Sequence, residues 1–375
     1  VEALFKKKNL ALLASFLVAV SSWHIMMSRG AFEANLTTFF LPFGIYLYLK
    51  KKYSLSALFL GLNLFTYHSA KLITPIIFVA LILITKKFKL IQSLIFSFFL
   101  ALTVYSLTLG GGARIAERSI TRGTLEEGAK IKIDLINKGM NPVVAKLLHN
   151  KYQVTVSRFV NNYKQYFSYK FLFKDGPRET TYGMIPGKGV LYGFEGILLL
   201  GLAPLIYFRK VNRTVLLLMG WLLISPVPAA LSTGVGFSAN RAEIMIPVIQ
   251  ILEVVGLSGW LIILNKIKGG LRSIPIVALV ILALFETLSF ARLYFINSPK
   301  IASKGMLYAN LEVAQWLTQN YKDRGIVVSR TISEPHIYIA FASEWDPADY
   351  QKSTKSWNLE TWVDQIPSYK LGNFT

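Results

Sequence analysis

The chain has 375 residues, of which 53% are hydrophobic and 16% charged, and its mean hydropathy is +0.45; that is more apolar surface than one soluble core holds, and it excludes an ordinary globular enzyme. Lys and Arg number 41 against 20 Asp and Glu, a net charge of +21 that span-flanking cations and anionic lipid headgroups explain without nucleic acid as a partner. With no cysteine there is no disulfide, thiolate nucleophile or cysteine metal site.

The opening "VEALFKKK" lacks the apolar core and cleavage site of a signal peptide, so it reads as the end of an earlier span and the chain as a fragment without its N-terminal part. Apolar runs follow near residues 9–22, 34–49, 54–67, 72–85 and 90–109, and again near 190–208, 214–231, 243–264 and 274–296. Several fall short of the roughly 20 residues of a straight span, so their ends draw on semi-polar flanks. Cations mark every second connection: Lys6 to Lys8, Lys50 to Lys52, Lys86 to Lys89, Arg209 to Arg213, and Lys266 to Arg272. Because Lys and Arg in short loops stay cytoplasmic, these segments are expected inside and the alternating ones outside.

The expected fold class is an all-α polytopic membrane protein of about nine transmembrane helices. Residues 1–109 hold spans one to five, 110–189 an external loop, 190–297 spans six to nine, and 298–375 an extracytoplasmic, incomplete α/β domain. In the loop, "LGGGARIAERSITRGT" reads as a flexible linker, since no strand precedes it and no GK[ST] follows. Val156, Phe159, Val160, Tyr163 and Phe167 recur at helical spacing among polar residues and predict an amphipathic helix at the outer membrane surface. In the tail, Leu311, Ala314 and Leu317 predict a short helix, and "GIVVSR" and "HIYIAF" two strands.

The ionisable residues of the outward connections are the candidate site. In "SSWHIMMSRGAFEANLTTFF", His24 with Ser28 and Arg29 with Glu33 stand four apart, so on a continuous helix each pair shares a face. "TYHSAKLITP" supplies His68 and Lys71, "SANRAEIMIP" supplies Arg241 and Glu243, and "HNK" closes with Asn150 and Lys151. Charges at membrane depth are costly and line polar cavities, and a cationic cavity beside lipid suits an anionic headgroup, with Arg as bidentate phosphate ligand and Lys as point charge. Glu253 and Glu286 fall within predicted spans, where they are either structural, hydrogen-bonded or neutral, or on the path of a proton-coupled transporter. Four scattered histidines make no metal site, and no cofactor is expected.

These motifs, with "NNYKQYFSYKFLFKDG" and "GVLYGFEGILLLGL" between them, resemble in order and spacing the GT-C superfamily of membrane glycosyltransferases, above all bacterial relatives of the protein O-mannosyltransferases and of lipid A aminoarabinose transferase. The resemblance implies a hexosyl- or pentosyltransferase of the cell envelope. It would move a sugar, with inversion, from a polyprenyl-phosphate donor to a protein, lipid or glycan acceptor at the outer face of a bacterial inner membrane, where the C-terminal tail would also lie. By that resemblance Arg241 is a lipid-phosphate ligand, Lys71 the cation at the hairpin end, His24 and Arg29 cavity-lining residues, and Glu33 the group that orients Arg29. His68, Asn150, Lys151 and Tyr163 are further candidates for substrate contact, and Asp175 and Glu179 for acceptor-side carboxylates or a solvated loop. The family's general base would precede Val1, so the fragment alone is expected to be inactive. A lipid-linked glycan flippase or proton-coupled transporter is the alternative, and a non-catalytic scaffold would leave the grouped outward His, Arg and Lys unexplained.

Overall fold

The computed structural model describes every residue except 31, 112–117, 178–183, 209, 234–237, 268, 304, 306, 322–323, 330–333, 358–368 and 375. The described residues form helices and a few isolated β-bridges, with no strand, in two compact units, Val1–Ile296 and Asn297–Thr375.

In the first unit every predicted apolar run is helical. The helices are α1 (Glu2–Phe5), α2 (Lys8–Val20), α3 (Ser22–Arg29), α4 (Thr37–Leu49), α5 (Tyr53–Asn63), α6 (His68–Thr85) and α7 (Leu90–Ser106). The polar stretch forms α8 (Thr124–Asn137), α9 (Pro142–Leu148) and α10 (Lys151–Tyr166); then come α11 (Gly193–Leu200), α12 (Leu202–Tyr207), α13 (Arg213–Ile224), α14 (Val227–Ala230), α15 (Val248–Leu264) and α16 (Ser273–Arg292). Among the described residues four helical stretches are long and apolar enough to cross a membrane, His68–Thr85, Leu90–Leu109, Arg213–Ala230 and Gly270–Ala302, and α2 with α3 makes a fifth if that bent pair is one span. The helices α4, α5 and α15 have 13, 11 and 17 residues, and α11 is broken from α12 at Gly201. For α4 and α5 the sequence already leaves the run short of a full span, whereas the runs at 190–208 and 243–264 are longer than the helices formed within them.

Apolar side chains cover the outside as well as the core, as a lipid solvent requires. On α16 Phe290 is the one buried residue, while Ile281, Phe285 and Leu288 are each more than 60% exposed. In water such a surface would aggregate. In hydrocarbon it costs nothing, because the helix satisfies its own backbone hydrogen bonds.

Three contacts bring the basic turns to one end of the bundle. The Tyr48 hydroxyl lies 2.9 Å from Thr85 Oγ1 and donates to the Lys87 carbonyl at 2.8 Å, tying the Lys50–Lys52 turn to the Lys86–Lys89 turn. Lys266 Nζ lies 4.7 Å from the centroid of Phe208, joining the last two basic segments. Phe5, beside the first lysines, packs both with Leu205, Val211 and Val215 and with the cluster that holds Tyr48.

The first strong helix crossing is built on glycine. A Cβ on Gly256 would lie 2.0 Å from the Leu198 carbonyl oxygen, and one on Gly259 would lie 1.8 Å from that of Gly201. Only backbones without side chains approach so closely, the small-residue packing that holds helices together in lipid. Because Leu198 meets residue 256 and Gly201 meets 259, α11–α12 and α15 run in the same direction.

The second unit contains α17 (Ser298–Ala302), α18 (Asn310–Asn320), α19 (Pro335–Ala342) and α20 (Pro347–Thr354) around Ala314, Ile339, Trp357, Leu371 and Phe374. The expected α/β domain is not formed among the described residues. "HIYIAF" lies in α19, started by Pro335 in its first turn, and buries His336 and Ile339 at a three-residue spacing. Ile326 makes only an isolated bridge to Phe374, and Val327 is 85% exposed, so "GIVVSR" is not a buried strand.

Candidate functional site

The candidate site is the end of the first unit opposite the basic turns. The 18 residues of α6 carry the chain about 27 Å from His68 to that basic end. The site end comprises the close of α3, the 3-10 turn Glu33–Leu36, the start of α6, α14, and the 3-10 turn Asn240–Met245. The two 3-10 turns pack on each other, and α4, α6 and α14 all touch the second.

A break in the chain positions α3. The bend between α2 and α3 is 54° and frees backbone groups at Val20 to Ser22. The Tyr192 hydroxyl donates to the Val20 carbonyl at 2.9 Å, and the Ser22 hydroxyl donates to the Val190 carbonyl at 2.8 Å. The neighbouring segment thus satisfies what the bend exposes, as a non-helical backbone in a membrane demands. His24 is half-buried on α3, and its Nδ1 has no hydrogen-bond partner among the described residues.

Arg29 and Glu33 do not pair. Gly30 caps α3, and Glu33 belongs to the following 3-10 turn, so the four-residue helical register is broken between them. The Arg29 guanidinium instead lies 5.4 Å from the Tyr294 ring centroid and 5.5 Å from that of Phe295, a cation–π pair of contacts with the end of the last long helix. Glu33 is exposed. The His24–Ser28 pair is not formed either, since the Ser28 hydroxyl donates to the Ile25 carbonyl.

His68 and Lys71 stand in the first turn of α6, His68 against the ring of Tyr67 and Lys71 half-buried. Arg241 Nη1 donates to Ser232 Oγ at 2.7 Å and to the Thr233 carbonyl at 3.0 Å. That strip also pairs with Arg118 and Ile120 of the external segment, so Arg241 fastens the loop to the bundle. Its other two guanidinium nitrogens make no hydrogen bond among the described residues.

The structure therefore brings the elements of Arg29, Glu33, His68, Lys71 and Arg241 to one end, without joining those side chains on a common partner. The further candidates on the external segment each make a local contact. Asn150 caps α10, accepting from the Tyr152 and Gln153 amides, and Lys151 lies over Tyr152. The Tyr163 hydroxyl donates to the Leu223 carbonyl at 2.8 Å and docks α10 on α13, so the face of Tyr163 turns toward the bundle and that of Tyr152, Val156 and Val160 away from it. Asp175 closes the turn Lys170–Lys174, and Glu179 lies outside the described residues.

The sequence pattern nominates Glu243 at this end but not the amide and hydroxyl groups packed on the same turns and helix starts. Glu243 is fully buried, and among the described residues neither of its carboxyl oxygens is bonded, nor are the buried Asn35 Oδ1, Thr37 Oγ1 and Ser69 Oγ. All four lie on the mutually packed turns and helix starts of this end. Burial pushes the Glu243 carboxyl up to about 8. By contrast Asn63, just below, is satisfied, its Nδ2 donating to Thr74 Oγ1. A group of buried hydroxyl, amide and carboxyl functions with unmet hydrogen-bonding capacity is unusual in a native core and fits a hydroxyl-rich ligand.

Both mid-span acids acquire a place. Glu286 accepts from the Gly193 and Phe194 amides at 3.0 and 2.9 Å, so it caps α11, where an anion offsets the positive end of the helix dipole. Glu253 is fully buried at the crossing of α15 with α11.

No family model matches the chain, and no curated protein or solved structure matches it. Among the described residues no group of His, Cys, Asp and Glu is arranged to hold a metal ion.

Proposed function

We propose that the chain is the membrane core of an inverting glycosyltransferase that takes a sugar from a polyprenyl-phosphate donor at the extracytoplasmic face, with all nine apolar helices crossing the membrane and the basic turns inside. The observation that carries this reading is the end opposite the basic turns, where the packed turns and helix starts that hold Lys71 and Arg241 also hold Asn35, Thr37, Ser69 and Glu243, whose side-chain oxygens have no hydrogen-bond partner among the described residues. Cations beside lipid suit the donor phosphate, with Arg241 offering its two unengaged nitrogens. Buried hydroxyl and carboxyl groups suit sugar hydroxyls, and transfer needs the phosphate's developing charge stabilised as the glycosidic bond to it breaks.

The test is binding of a photoreactive polyprenyl-phosphate sugar to the chain in phospholipid vesicles. Removing one charge-assisted phosphate contact costs about 1.5–3 kcal/mol, so Arg241→Ala and Lys71→Ala are each expected to weaken crosslinking roughly 10- to 150-fold while Arg29→Ala, engaged with Tyr294, has little effect. Equal crosslinking of all variants, with the Arg241→Lys variant as folding control, sinks the reading. The transporter alternative loses one of its two acids, since Glu286 is occupied as a helix cap.

A further inference from the structure

A second polar site lies inside the helix crossing and takes no part in the proposed donor-binding end. Glu195 opens α11 in a capping box, its Oε2 accepting from the Tyr192 amide at 2.7 Å, which leaves its Oε1 buried with Gln250 beside the carboxyl. Across the crossing, α15 presents Gln250 and, one turn on, Glu253. Both are fully buried; among the described residues the Glu253 carboxyl has no hydrogen-bond partner, and the Gln250 amide has the Glu195 carboxyl as a near neighbour able to take a hydrogen bond. Gln250 lies beside Glu195, and Glu195 is within electrostatic reach of Glu253.

The glycine contacts at Gly201, Gly256 and Gly259 seal this group from below by bringing the backbones together. Toward the site end it continues into Lys188 and Glu286, both close enough to interact with Glu195. Lys188 sits 5.0 Å over the Tyr192 ring, and burial lowers its amine while the two acids raise it. The other helices packed on α15 bring no further charge: α2 and α13 carry one cation each, Lys8 and Arg213, in their first turns at the basic end.

Two carboxyls in low dielectric cannot both ionise cheaply, and a buried carboxylate with no bonded partner is costlier still. An amide beside Glu195 and one helical turn from Glu253, with both a donor and an acceptor, is the group that can accept from one acid and donate to the other. We propose that Glu195, Gln250 and Glu253 form an intramembrane proton-binding site, reached from the outer end past Lys188 and Glu286. The proton moves between carboxyl oxygens and water at that end, with no other bond made or broken. This site stands whether or not the chain transfers a sugar.

The test uses the full chain in phosphatidylcholine vesicles and dicyclohexylcarbodiimide, an apolar reagent that adds only to protonated carboxyls, with peptide mass spectrometry as readout. The expected result is an adduct on Glu253 or Glu195 that declines severalfold as pH rises. Glu253→Gln should lose the Glu253 adduct, and Glu195→Gln should keep it with its pH dependence displaced. Infrared spectra of the unaltered chain, which need no variant to fold, should contain a protonated-carboxyl band that fades over the same range. An absent or pH-independent adduct together with an invariant band overturns the proposal in favour of a permanently neutral structural pair. Protection by sodium at constant pH overturns it in favour of a monovalent cation site.

Discussion

Arg29 and Glu33 illustrate what a residue pattern can and cannot carry. Their spacing is right for an ion pair only if the helix continues, and Gly30 ends it. The arginine then takes the aromatic faces of Tyr294 and Phe295, residues some 265 positions away that no local pattern could nominate. Glu286 is the converse case: the sequence marks it as an acid at membrane depth, but its purpose as the cap of α11 depends on a long-range contact. Glu243 carries a prediction at this scale. Its folded value, about 8, lies above the ordinary carboxyl value of 4.5. Below that ordinary value both folded and unfolded chains hold the proton, and stability is at its full level. As pH rises through the window the unfolded chain releases its proton and the folded chain keeps it, so stability falls until the folded value is passed. Unfolding of the detergent-solubilised chain should therefore become easier from about pH 4.5 to about pH 8, and Glu243→Gln should flatten that part of the profile. A profile identical in the two proteins would show that Glu243 is not held neutral.

At the scale of elements, the apolar runs located the apolar helices of the first unit, because a run of that length in a membrane has helix as its one self-sufficient conformation, but they gave no sign of α8 and α9 in the polar stretch. The same reasoning failed in the tail. "HIYIAF" offers alternating apolar residues that fit a strand, yet Pro335 starts a helix and the three-residue spacing of His336 and Ile339 serves the core equally well. Short runs leave that choice to tertiary contacts. The crossing of α11–α12 with α15 was legible only as scattered glycines; what makes them an interface is that three of them meet. Gly256→Ala should test it, since the added carbon would stand 2.0 Å from the Leu198 carbonyl oxygen, a backbone atom that cannot rotate aside. Forcing a methyl group into such packing costs about 1–3 kcal/mol, and the helices would separate enough to admit water to Glu195 and Glu253. Thermal unfolding in detergent should fall accordingly, whereas Gly220→Ala, with nothing within 4 Å, should not change it. Equal effects of the two substitutions would mean the close approach is not maintained in the membrane.

At the scale of the whole molecule, the alternation of cations along the chain and their collection at one end of the bundle are two readings of one property. Charge spacing in sequence can give the first without any structure, because each crossing reverses the chain. The second requires that Tyr48 reach Lys87, that Lys266 reach Phe208, and that Phe5 bridge two cores. The proposed topology turns this agreement into a testable statement: it puts the turns at Lys51 and Lys87 in one aqueous compartment, and the helices α8 and α9 with Lys130 and Lys146 in the other. The chain has no cysteine, so single substitutions can report this without background. Lys51→Cys and Lys87→Cys should be shielded from a membrane-impermeant maleimide in intact cells and should react once the membrane is opened, as cations held on the cytoplasmic side would be. Lys130→Cys and Lys146→Cys should react in intact cells. If Lys51→Cys and Lys87→Cys differ from each other, the bundle does not cross as its turns require. If all four are reversed, the orientation is inverted and the polar group around Glu243 faces the cytoplasm, where an extracytoplasmic sugar transfer could not use it.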